Sequence, residues 1–208
     1  MATLTKAERT RNRIIEAAAP VFNRKGYAGT ALSDIINATG LTKGGIYGNF
    51  SGKDEIAMEV FEYNKDRLFE QIHQQVKAVE SPLQQLHTFF QVHGEVIQTF
   101  PEGCPILNTA VESDDTHPEL KKRARAAVLI WINYLKGIIR QGIQAGEFRP
   151  VSSPDRYART FISMVQGAVF MGRLTGNQEA YEDVIHQIRR VIDLELVNYN
   201  GLNGKIYN

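Results

Sequence analysis

The sequence predicts an all-α protein of about nine helices. Three observations carry that reading. Apolar residues recur at three- and four-residue spacing between breakers, as in Tyr181, Val184, Ile185, Ile188, Val191 and Ile192. No stretch shows the alternation of a half-buried strand. Helix-opening and helix-ending residues fall at the edges of the periodic runs, as at Ser81-Pro82, Pro118, Gly146 and Ser153. With 208 residues, 43% of them hydrophobic and 23% charged, the chain can bury a real core and is neither disordered nor fibrous.

The first helix is expected over Thr5–Lys25, with Ile14, Ala17, Ala18, Val21 and Phe22 in one stripe. Pro20 lies inside it and removes one backbone donor, but the unbroken stripe says the helix continues past it. Gly26 should end it. Next comes Thr30–Phe50, TALSDIINATGLTKGGIYGNF. Thr30 is expected as an N-cap, and Leu32, Ile35 and Ile36 follow at helical spacing. Gly40 stands where a helix end wants positive φ, and Leu41 supplies an apolar plug. Thr42 can cap a second helix whose Ile46 and Phe50 share the inner face. Its other face carries Thr42, Lys43, Gly44, Tyr47 and Asn49. Two short helices bent about a glycine in this way form a helix-turn-helix pattern, whose second helix can enter a DNA major groove.

Ser51 is expected to cap a long helix reaching about Val79, with Asp54 and Glu55 at its positive end. Lys53 sits in that turn against the dipole, a placement that suits a nearby phosphate as well as a merely solvated lysine. Further helices are expected over Leu83–Phe100, Ile106–Ser113 and Pro118–Ala145. The third of these is apolar on a wide arc, as befits a central helix. Another should start at Ser153 or Asp155 and reach about Leu174, and the last should span Gln178–Asn198. Tyr199–Asn208 reads as a frayed, Asn/Gly-rich tail.

The net charge of +1 hides an asymmetry. Residues 1–53 hold eight Lys/Arg against three acids, a net of +5, which leaves −4 for residues 54–208. A polyanion would meet the N-terminal quarter first. The single cysteine, Cys104, rules out an intramolecular disulfide framework and fits a reducing compartment. No apolar run approaches a membrane span, and the polar N-terminus lacks a signal-peptide core, so a soluble, cytoplasmic protein is expected. The five histidines form no metal-spaced cluster, and no sequence motif supplies Cys104 with a catalytic base. Neither a metal, a cofactor nor catalysis is expected.

TALSDIINATGLTKGGIYGNFSGKDEI resembles the signature of TetR-family transcriptional regulators. The matched positions are Gly26-Tyr27, Thr30, Asp34-Ile35, Gly40, Lys43-Gly44, Tyr47, Phe50, Lys53 and Glu55. The resemblance is strong over residues 7–60. Gly48 departs from it, standing where a side chain often points at DNA. The resemblance implies a DNA-binding domain over 1–53 and a ligand-binding and dimerisation domain over 54–198. It also implies a homodimer that sets two recognition helices into successive major grooves of a palindromic operator, about 34–36 Å apart. Repression by steric exclusion, relieved by a small-molecule effector, is the expected function. A thiol-redox response through Cys104 is the alternative, and an all-α enzyme a more distant one.

Residue roles follow. Thr42, Lys43, Gly44, Tyr47 and Asn49 are expected on the DNA-reading face, with Thr30 and Lys53 clamping phosphates on either side. Tyr27 is expected to staple onto the first helix. Phe61, Phe89, Phe90, His93, Cys104, Asn108, Trp131, Tyr134, Gln166 and Phe170 are candidates to line a cavity for an apolar or amphipathic effector; each taken alone reads more readily as core. The last two long helices are expected at the dimer interface through Tyr157, Phe161, Met164, Gly167, Ala168, Tyr181, Ile185, Ile188 and Ile192, with core again the alternative.

Overall fold

The computed structural model describes residues 4–177 and 179–199; the tail expected at 199–208 lies, apart from Tyr199, outside them. Nine α-helices occur among the described residues: α1 (Lys6–Gly29), α2 (Leu32–Thr39), α3 (Lys43–Tyr47), α4 (Lys53–Lys77), α5 (Pro82–Gln98), α6 (Pro105–Ser113), α7 (Pro118–Gln144), α8 (Pro154–Thr175) and α9 (Glu179–Val191). A π-helical turn, Ile192–Leu196, follows α9. No strand occurs among these residues beyond one isolated bridge between Phe148 and Val197.

The chain forms two compact units. The first runs through Leu68 and takes in Cys104–Arg125, so it holds α1–α3, the first half of α4, α6 and the opening turns of α7. In it α1 packs on α2 and α6, and Ile14, Ala18, Phe22, Ile35, Ile46, Ile56, Val60 and Ile106 are buried. Helix α1 continues past an exposed Pro20, as its stripe requires, and leaves helical geometry only at Gly26 (φ 71°, ψ 177°). A further turn then carries it to Gly29.

One expected cap is corrected. Thr30 does not open α2, which starts at Leu32 with Ala31 at the cap position. The Asp34 carboxylate instead accepts the Ala31 amide at 3.0 Å and is itself held by Lys25 Nζ at 2.8 Å. Ahead of α4, the Ser51 amide and hydroxyl both donate to Glu55 (2.7 and 2.8 Å). These donors, with Arg11 Nη2 at 2.6 Å, hold the Glu55 carboxyl down at about 2.

The second unit comprises Phe69–Gly103 and the chain from Ala126 onward. Here α9 packs on α8 and α5, around buried Phe89, Phe90, Leu135, Ile139, Phe161, Val165, Ile188 and Ile192. Ser81 caps α5, accepting from Gln84 N, and Pro82 takes its favoured first position. The last helix is shorter than its periodicity predicts. Its α-geometry stops at Val191, and Val197 turns extended to pair with Phe148. The segment is pinned there: the Arg149 amide donates to Leu196 O at 2.8 Å, its Nη2 donates to Val197 O at 3.0 Å, and Asn198 N donates to Glu147 O at 2.8 Å.

Candidate functional site

The glycine bend gives the first unit its outward face. Gly40 closes α2 in the left-handed region (φ 67°), a conformation that costs a side chain dearly. The chain then turns so that Thr42 caps α3, its Oγ1 accepting from Gly45 N at 3.2 Å. The two faces of α3 divide sharply: Ile46 is fully buried, whereas Thr42, Lys43, Gly44 and Tyr47 are exposed. Lys43 Nζ lies 5.9 Å from the Tyr47 ring centre, close enough for the ring to steady the cation. The helix ends at Tyr47, a turn before Phe50, and the half-buried Asn49 donates its side-chain amide to Gly45 O at 2.8 Å. Arg11 braces the far end of the bend. It bonds Glu55 (2.6 Å) and Glu59 (3.0 Å) and lies 4.1 Å over the Phe50 ring, and it donates to Asn49 O.

Two expected phosphate clamps are placed differently. The Thr30 side chain is buried and its hydroxyl donates to Gly26 O at 2.6 Å. The Lys53 ammonium is directed inward, donating to Tyr27 O at 2.8 Å and Thr30 O at 3.1 Å, and it lies 4.2 Å over the Tyr27 ring. An ammonium placed at the start of α4 thus answers to two carbonyls at the end of α1. Tyr27 is a staple, but toward α4 and the α6–α7 loop rather than along α1: its hydroxyl donates to Asp54 and its ring meets His117 edge-on at 4.6 Å. The bond to Asp54 raises the phenol to about 12. Ser33 and Asn37, exposed on α2, are polar groups the sequence reading passed over; their positions opposite Leu32, Ile35 and Ile36 could have found them.

The effector candidates fall in both units. Phe61, Cys104 and Asn108 belong to the first, where Phe61 and Cys104 are buried and Asn108 Nδ2 donates to Asn23 Oδ1 at 3.0 Å. In the second, an aromatic cluster gathers around Phe89. Trp131 meets Phe69 (4.2 Å) and Phe89 (5.0 Å) edge-on, Phe90 lies 5.1 Å from Phe89, and Tyr134 lies 6.1 Å from it. His93, fully buried, stacks on Tyr181 at 5.9 Å. The Tyr181 hydroxyl donates to Phe90 O at 2.9 Å, so the His93 Nδ1–H is the donor in the 2.9 Å contact with the Tyr181 oxygen. Burial drops His93 to about 4 and pushes the Tyr181 phenol far up. Both are neutral at physiological pH. Three buried polar atoms in this unit have no hydrogen-bond partner among the described residues: His87 Nδ1, the Trp131 indole N–H and the Gln166 carbonyl oxygen. Phe170 is corrected: it is 54% exposed and lines no interior.

The interface residues divide as well. Phe161, Ala168, Ile185, Ile188 and Ile192 are buried within the single chain and are core. Tyr181 is committed to His93 and Phe90, and the Tyr157 hydroxyl donates to Glu195 at 2.7 Å. Met164 is half-buried and Gly167 exposed. Beside that inward line α8 carries a second one that faces out: Ser163, Gly167, Phe170, Met171 and Leu174. A side chain at Gly167 would meet nothing within 4 Å.

Residues 14–60 match the family model described as bacterial regulatory proteins, tetR family, and residues 82–188 match that of the tetracyclin repressor-like C-terminal domain. Among solved structures, the chain is similar to a TetR-family transcriptional regulator from Cytophaga hutchinsonii, at 39% identity and a TM-score of 0.87 over 95% of this chain and all of that one. It is also similar to a TetR transcriptional regulator from Chloroflexus aurantiacus, at 36% identity and a TM-score of 0.88 over 93% and 99%. The HTH-type transcriptional repressor DhaR of Mycobacterium sp. (strain GP1) is 25% identical over 84% of this chain and 88% of its own.

Proposed function

The chain belongs to the TetR family of transcriptional regulators, and from that premise we propose that it is a cytoplasmic repressor. It reads a palindromic operator as a homodimer and is released by an apolar or amphipathic effector. The observation that supports this most is the division of α3, with Ile46 fully buried and Thr42, Lys43, Gly44 and Tyr47 presented to solvent. Side chains at the N-terminal end of such a helix reach base edges, while the bareness of Gly44 lets the backbone approach. Residues 1–53 act as the reader and 54–198 as the sensing and pairing part. The outward stripe of α8, with Phe170, Met171 and Leu174 about half to two-thirds exposed, supports α8 as the pairing surface. The aromatic cluster of α5 and α7 supports the effector class. Its histidine is neutral, and its unsatisfied donor and the α8 acceptor suit an uncharged molecule with one polar end.

Selection of bound sequences from a random duplex pool tests this reading. The expected product is a palindrome with half-site centres about one helical turn apart. Enrichment of a sequence without a dyad, or no enrichment, contradicts it.

A further inference from the structure

The turn between α1 and α2 is held from two sides, and the second side lies outside the residues that match the DNA-binding family model. At Gly26 the chain leaves helical geometry, so the amides of Tyr27 and Ala28 start a new turn with no carbonyl behind them. The Glu112 carboxylate of α6 takes both: Tyr27 N donates to Oε2 at 2.7 Å and Ala28 N to Oε1 at 2.8 Å. The positive φ at position 26 favours glycine, and a Cβ there would push the Glu112 carboxylate out of its place. At the other end of the same turn, Lys53 of α4 takes the carbonyls of Tyr27 and Thr30. Asn108, one helical turn before Glu112, adds its bond to Asn23. The turn therefore has its amides fixed by an anion from α6 and its carbonyls fixed by a cation from α4. It leads within two residues to α2, which carries α3 through the Gly40 bend.

We propose that Glu112 is a positioning residue for operator reading. From α6 it sets the angle at which α2 and α3 leave α1, without touching DNA. This rests on the operator reading above.

The test uses the duplex that the wild-type protein selects; if no duplex is selected, the operator reading fails and this inference is not what has failed. Glu112→Gln is near-isosteric and removes one negative charge. Charge alone would make the variant bind any duplex equally or more tightly. The expected result is the opposite for the selected duplex, a loss of about tenfold, because one of two charge-assisted bonds becomes an amide facing an amide. Affinity for an unrelated duplex of equal length should stay the same or rise. Glu112→Asp keeps the charge but withdraws the oxygens, and should show the same selective loss. The amide resonances of Tyr27 and Ala28 should shift in both variants. Wild-type affinity for the selected duplex in both variants, or an equal loss on both duplexes, overturns the proposal.

Discussion

A buried histidine is neutral by necessity, and His93 makes that measurable. In the unfolded chain it takes up a proton near 6.5; in the fold it resists until about 4. Between those values the unfolded state binds the extra proton, so stability falls as pH drops through this window and levels off below it. The expected loss is about 3 kcal/mol. Urea midpoints taken from pH 7 to 4 should slope in the wild type and flatten in His93→Phe. An equal slope in both would show that His93 charges freely. The Glu55 window lies lower, from its ordinary carboxyl range down to about 2, and stability is lost there on further acidification. Residue chemistry of this kind was only partly legible in the sequence. A histidine among Leu86, Phe89, Phe90 and Ile97 announces burial, but its partner, Tyr181, lies 88 positions away and reads locally as one more apolar position on α9.

Helices were more legible than their ends. Periodicity placed all nine, because burial of one face is a repeating demand that sequence states directly. Caps were harder, since several side chains compete for the same amides: at α2 the winner was Asp34 rather than Thr30. Charged residues deceived in a consistent way. Lys53 and Glu112 look like solvent-facing charges one helix at a time, yet each satisfies backbone groups on α1. On α8 the strongest apolar line proved to be core, and the line beside it, weaker because Ser163 and Gly167 interrupt it, is the exposed one. The Phe170→Asp/Leu174→Asp double variant should therefore keep its helicity and sediment as a monomer, and the wild type should sediment as a dimer. An unchanged dimer would move the pairing surface off α8.

At the scale of the whole molecule, the division of labour follows from where the fold spends its polar groups. The first unit ties its charges into the α1–α2 turn and the Arg11 brace, leaving Lys43 and its neighbours outward. The second unit buries an aromatic cluster with a neutral histidine, which suits the proposed sensing of uncharged molecules, and seats the Glu147 carboxylate against Ser81 and the Leu83 amide. The proposed effector is the least legible feature, because an interior lined by common core residues carries no motif. Reading by α3 is the central claim, and Lys43 is its most exposed test. Lys43→Ala should bind the selected operator about tenfold or more weakly at physiological salt, with far-UV helicity unchanged. Wild-type affinity in that variant would contradict the claim.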